Sequence, residues 1–230
     1  MKVLINHEIA KEFSSVTGIE TIPLFPYNRL DLPVQCHADM LFCVLDDTIF
    51  CYEDYVKEYG LLSCLTEGGK KICFVSATCE SKYPKDISLN VLVMGKTIFC
   101  NVRHTAREIL CYAESNGYKI VNVKQGYAAC STLVVDDNFA VTADKGMIDA
   151  IKAEGKECLL ADCDDIVLEG YKCGFFGGAS GVIDKNIYFF GDVDMLKNGE
   201  KIRTVLNDKN YDVFQITSGR VYDFGGIKVI

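Results

Sequence analysis

The chain has no tryptophan and only four prolines in 230 residues, no two of its cysteines stand in a C-x-x-C spacing, and runs of basic or of uncharged apolar residues are short. Each absence excludes something. No Pro-, Gly- or Ser-rich linker or low-complexity segment suggests a second domain, and one domain over residues 1–230 is expected. Without a Lys/Arg run, and with a net charge of −8, the chain has no surface that neutralises phosphates, so neither nucleic acid nor an anionic membrane is an expected partner. The longest apolar stretches, such as Met40–Leu45, are the size of a strand and far below that of a membrane span. Met1–Glu8 lacks the continuous apolar core of a signal peptide, so the expected setting is the cytoplasm. Without ligand spacings, no metal or other cofactor is expected.

Twelve cysteines are present, at positions including 36, 43, 51, 73, 100, 130, 158, 163 and 173. In a reducing compartment most such thiols act as small buried hydrophobes.

A unit recurs along the chain: an apolar strand, a two-residue polar turn, a second strand, then usually a helix and a third strand. Met40–Leu45, Asp46-Asp47 and Thr48–Cys51 make the first hairpin; Val91–Met94, Gly95-Lys96 and Thr97–Cys100 the second. Thr132–Val135, Asp136-Asp137 and Asn138–Val141 make the third; Gly181–Ile183, Asp184-Lys185 and Asn186–Phe190 the fourth. β-formers interrupted by Asp, Gly, Asn or Lys pairs are the hairpin signal. Apolar residues at helical spacing follow over Thr105–Ser115, Lys145–Glu154 and Gly199–Leu206, and strands follow those at Tyr118–Val123, Glu157–Ala161 and Tyr211–Ile216.

A fifth unit is split. Ile227–Ile230 is a lone strand at one end; Lys2–Ile5, a helix over about Glu8–Ser15 and a strand around Ile19–Ile22 stand at the other. Placed end to end they complete it. Five units of about 46 residues, each with sheet faces that only neighbours can bury, favour an α/β fold in which the units close into a ring.

Three polar stretches stand where hairpins begin. In Gln35-Cys36-His37-Ala38-Asp39, strand alternation places His37 and Asp39 on one face. In Lys124-Gln125-Gly126-Tyr127-Ala128-Ala129-Cys130-Ser131, a Gly-containing loop delivers Cys130 to a strand mouth. Tyr222-Asp223-Phe224-Gly225-Gly226 leads into the last strand. Taken singly, a buried histidine, a filler thiol and an ordinary turn account for them as well as chemistry does. Phe176–Gly181 is also glycine-rich but lacks the Lys and spacing of a phosphate loop.

Taken together, these stretches resemble the pentein, or guanidine-modifying enzyme, superfamily of deiminases, amidinotransferases and dimethylarginine hydrolases. His37-Ala38-Asp39 is similar to its His-x-Asp motif, and Gly126–Cys130 to the loop ending in its nucleophilic cysteine. Asp223-Phe224-Gly225-Gly226 is similar to the strand start that bears its catalytic carboxylate. The resemblance implies a five-bladed β/α propeller with the terminal segments sharing one blade. It also implies catalytic roles for Cys130, His37 and Asp223, with Asp39 binding substrate. The order His, Cys, acid differs from the acid, His, Cys of familiar members, and a circular permutation within the acid-bearing blade accounts for both that order and the split unit. The family's further acidic segment is replaced here by Gly177-Gly178-Ala179-Ser180-Gly181, and Gly226 stands where a second acid is usual.

The expected activity is hydrolysis of a small cationic guanidine or amidine through a thiouronium on Cys130. The alternative is a non-catalytic pentein that binds a ligand or a protein.

Overall fold

The computed structural model describes residues 1–230. β1 (Lys2–Asn6), α1 (His7–Thr17) and β2 (Glu20–Leu24) come first; α2 (Ala38–Leu41) is a single turn leading into β3 (Phe42–Leu45), β4 (Thr48–Cys51), α3 (Glu53–Glu58), α4 (Leu62–Thr66) and β5 (Lys71–Phe74). β6 (Leu92–Met94), β7 (Thr97–Cys100), α5 (Arg107–Ser115) and β8 (Lys119–Asn122) follow. A second one-turn helix, α6 (Ala128–Ser131), precedes β9 (Thr132–Val134), β10 (Phe139–Thr142), α7 (Lys145–Ala153) and β11 (Glu157–Leu160). The last elements are β12 (Ser180–Ile183), β13 (Asn186–Phe189), α8 (Gly199–Asp208), β14 (Asp212–Gln215) and β15 (Ile227–Val229).

The strands form five three-stranded sheets, β3-β4-β5, β6-β7-β8, β9-β10-β11, β12-β13-β14 and β15-β1-β2. In each, the middle strand pairs antiparallel with the first strand and parallel with the third. The parallel step requires a crossover, and the helices supply it. The split unit is as expected: β1 pairs with β15 at Val3↔Val229 and with β2 at Lys2↔Glu20.

Turn chemistry explains the hairpins. Asp46, Gly95 and Asp184, each the first turn residue, have φ of 51°, 60° and 55°, the left-handed region that two-residue hairpins need. The third hairpin is closed instead by Asp136, whose Oδ1 accepts from the amides of Asn138 (2.7 Å) and Phe139 (2.9 Å).

Burial sorts the strands. The middle strands β4 and β7 share the sequence Thr-Ile-Phe-Cys and are buried throughout, as strands covered on both faces must be. The outer strands each begin on a charged residue, Glu20, Lys71, Lys119, Glu157 or Asp212, which keeps their free edges in water. The first strands of all five sheets line a common cavity of about 220 Å³, to which Val44, Val93, Val134, Val182 and Val229 contribute one valine per sheet. No β-ladder passes from one sheet to the next, so the strands do not join into a closed sheet.

One expectation is corrected. His37 and Asp39 do not lie on a strand: residues 38–41 form the helical turn α2, His37 is its N-cap, and its carbonyl accepts from Leu41 (3.2 Å). Cys130 sits likewise in α6 rather than at a strand start. Every residue from Ala38 to Phe42 is buried, so the apolar run carries no period by which strand and helix could be told apart.

Candidate active site

The site is assembled where the five innermost strands begin. The turn α2 brings His37 and Asp39; the residue two before β6 is Asn90; α6 brings Cys130; the segment before β12 brings Gly177 and Gly178; the segment before β15 brings Asp223 and Gly225.

These segments are tied together by backbone. Asp39 N donates to the Gly225 carbonyl (3.2 Å), Gly178 N to the Cys130 carbonyl (3.1 Å), and Asp223 N to the Val167 carbonyl (2.8 Å). Glycine is required at the crossings. Gly225 has φ +81°, and a Cβ there would overlap the His37 side chain; a Cβ at Gly178 would overlap the Asp223 carboxylate, and one at Gly177 the Ala129 carbonyl. The glycine-rich stretch is therefore a packing solution that lets the Cys130 and Asp223 segments meet. At Gly226, φ is +65° and a Cβ would come 2.6 Å from the Gly177 carbonyl oxygen, so a side chain is excluded there too.

His37, Cys130 and Asp223 line one cavity of about 250 Å³, whose walls include Tyr127, Tyr171 and Phe175. His37 Nδ1 lies 3.7 Å from Asp223 Oδ1 and 4.0 Å from Asp39 Oδ1, and all three side chains are almost sealed from solvent. A larger cavity of about 630 Å³, lined by Asn6, Glu8 and Glu169 among others, also reaches His37 and Asp223. Asp39 is placed differently from its three companions, in the wall of the central cavity beneath them.

Hydrogen bonding separates the two carboxylates. Asp223 accepts from Phe175 N through Oδ2 (2.8 Å) and from Gly225 N through Oδ1 (3.0 Å). No donor meets either oxygen of Asp39 in good hydrogen-bond geometry, although the Cys130 thiol stands close enough to interact with it and the Lys228 charge favours its ionised form. A buried carboxylate with so little pairing is costly, and a cation beside it would relieve that cost.

Titration follows from burial. Desolvation pushes Asp39 up to about 6 and, with the Asp39 charge added, Asp223 up to about 7. It pulls His37 down to about 3, so the imidazole is neutral and makes no ion pair at these distances. It pushes the Cys130 thiol well above its ordinary value, and the charges of Asp39 and Asp223 push the same way. The site thus gathers a thiol, a neutral imidazole and two acids that ionise near neutrality.

Asn90 is the residue that the sequence did not disclose. Its Nδ2 donates to Cys130 Sγ (2.9 Å) and to the Asp39 carbonyl (3.1 Å), and its Oδ1 accepts from Ala129 N (2.8 Å). An asparagine before a strand reads as ordinary turn chemistry, so no sequence signal marks it. The aromatic walls are fixed from behind: Tyr127 OH donates to Asp86 (2.6 Å) and Tyr171 OH to Asp31 (2.9 Å).

Five small sheets with polar groups gathered where their inner strands begin make a fold that the chain shares with solved structures. The chain is similar to the inosamine-phosphate amidinotransferase of Streptomyces griseus (15% identity, TM-score 0.56, 96% of this chain and 76% of that one). It is similar to a dimethylarginine dimethylaminohydrolase (10% identity, TM-score 0.56, 91% and 79%) and to the agmatine deiminase of C. jejuni (12% identity, TM-score 0.51, 89% and 72%). No curated protein matches the chain in sequence. Over residues 3–228 the chain belongs to the family of unknown function DUF6873.

Proposed function

We propose that the chain is a cysteine-dependent hydrolase of a small cationic guanidine or amidine, with Cys130 as nucleophile, His37 as general acid and base, and Asp223 and Asp39 as the groups that hold the cation. The observation that carries this reading is the convergence of a thiol, an imidazole and the Asp223 carboxylate on one cavity, with the buried Asp39 carboxylate close to the thiol. A planar cation supplies what the acids lack, since carboxylates pair with guanidinium N–H groups in two-point geometry.

Such a cation reverses the electrostatics of the site. Its positive charge favours ionised Asp39 and Asp223, and it favours the thiolate of Cys130. Sγ attacks the amidine carbon, and the thiol proton passes by way of His37 to the departing nitrogen, which leaves as ammonia or an amine. His37 then takes a proton from water, whose oxygen attacks the S-linked thiouronium carbon. The C–S bond breaks, the thiol regains its proton, and the product is a urea or, from an amidine, an amide.

The same reading takes the five sheets as blades of one propeller-shaped domain, with the terminal strands sharing a blade, and needs no cofactor. A screen of guanidines and amidines for ammonia or amine release tests it, with Cys130→Ala as control. Release that depends on Cys130 is the expected result. Absence of release across the panel, together with thiol chemistry unaffected by cations, would favour a binding module.

A further inference from the structure

Resting on the reading just given, we infer that the substrate carries no carboxylate and that its substituent is an apolar chain lying against Tyr127, Tyr171 and Phe175. The first part follows from charge. Around the cavity that holds Cys130 stand Asp223 on its wall, Asp86 and Asp31 behind Tyr127 and Tyr171, and beneath it Asp39, whose charge is already met in part by Lys228 of the same central cavity. The adjoining larger cavity adds Glu8 and Glu169 and neither Lys nor Arg, and the His37 that it shares is neutral. The one cation on the wall is Lys172, whose side chain is 87% exposed and whose Nζ lies 3.4 Å from Asp164. A ligand carboxylate therefore meets a set of acids and no buried donor that could neutralise it, and rejecting an unpaired charge is a strong form of selection.

The second part follows from the walls. The hydroxyls of Tyr127 and Tyr171 are both committed to carboxylates outside the cavity, which leaves their rings as the surface a ligand meets. Tyr127 and Phe175 stand with ring centroids 6.4 Å apart at an angle of 33°. Val34, Met40 and Leu168 fill out the lining. At about 250 Å³ the space is below the usual range for ligand pockets, roughly 300 Å³ and upward, so it suits a guanidinium head and a short chain. Aromatic faces also attract the cation itself.

A matched set of probes tests this: n-pentylguanidine, 5-guanidinopentanoate, n-pentylurea and methylguanidine. Binding is measured by titration calorimetry on Cys130→Ser, which blocks turnover, and by thermal shift on the unaltered protein. n-Pentylguanidine is expected to bind at least tenfold more tightly than 5-guanidinopentanoate and than n-pentylurea. Equal or tighter binding of 5-guanidinopentanoate overturns the inference and leaves the hydrolase reading standing, whereas no preference for the guanidines over the urea overturns both.

Tyr171→Ser is expected to weaken n-pentylguanidine several-fold while methylguanidine is unchanged, and Tyr171→Phe to restore the difference. Equal loss for both ligands would show a structural role for the ring and overturn the assignment of the chain to this wall. Lys172→Met is expected to leave the ranking of the probes intact. A fall confined to 5-guanidinopentanoate would mean that Lys172 holds carboxylates and would overturn the exclusion.

Discussion

The amide of Asn90 donates to the sulfur of Cys130 at 2.9 Å while its carbonyl oxygen holds the amide of Ala129, one residue before that cysteine. One side chain therefore sets both the position of the thiol and the charge it tolerates, because a donor to sulfur favours the thiolate. Asn90→Ala is expected to raise the thiol pKa further and move the pH profile of Cys130 alkylation to higher pH. It also leaves the Ala129 amide buried and unpaired, at a cost of about 2 kcal/mol of stability. An unchanged profile would remove Asn90 from the site.

Asp39 gives a pH signature whose sign is fixed by the direction of its shift. Its carboxyl is raised from 3.8 to about 6, so native structure is penalised as pH climbs through that interval and bears no penalty below it. Asp39→Asn is expected to stabilise the protein at pH 8, by something on the order of 3 kcal/mol, and to make little difference at pH 4. Urea unfolding at the two pH values measures this, and guanidine binding is expected to be lost in the same variant. Destabilisation at pH 8 would mean that Asp39 has a structural partner.

Thiol chemistry offers a direct probe of the cation-seeking character of the pocket. Cys111 is exposed and Cys130 buried, so neutral iodoacetamide is expected to label Cys111 first. A chloroacetamidine, which carries the planar charge, is expected to reach Cys130 at least tenfold faster than iodoacetamide does, and a bound guanidine to protect it. Peptide mapping by mass spectrometry distinguishes this from labelling spread over many thiols, the outcome for a pocket with no preference.

Two glycines of like backbone conformation separate strain from crowding. Gly219 (φ +88°) has open space where a Cβ would stand, and Gly219→Ala is expected to cost about 1 kcal/mol, the left-handed penalty alone. Gly225 (φ +81°) has His37 there, and Gly225→Ala is expected to cost on the order of 3 kcal/mol or more and to abolish turnover. Chemical denaturation of the pair checks the difference.

Much of this architecture was legible in the sequence because its units are local: alternating strands, paired turn residues and amphipathic helices announce themselves within about 30 residues. The split unit was legible for the same reason, since a lone strand at one end and a strand-helix-strand at the other fit together. What escaped was either short or relational. The helices Glu53–Glu58 and Leu62–Thr66, and the strand Lys71–Phe74 after them, are too brief to establish a period. The turn conformation of His37–Leu41 was hidden because its surroundings bury every residue. Cys130, His37 and Asp223 could be singled out by residue type and motif. Asn90, Tyr171 and the acids behind the tyrosines could not, because their importance lies in what faces them across the fold.

The pairing of Val3 with Val229 bears on how the site comes into being. It joins residues almost the whole chain apart, and contacts of such separation are the slow ones in folding, since a long loop must be closed before they give any return. β15 follows directly on the segment carrying Asp223 and Gly225, so docking of that strand against β1 also delivers the carboxylate to His37. Four sheets can form from contiguous chain while the thiol still lacks its acid. Completion of the pocket is thereby coupled to the most non-local step of folding, and a chain still being synthesised holds Cys130, His37 and Asp39 before Asp223 has joined them.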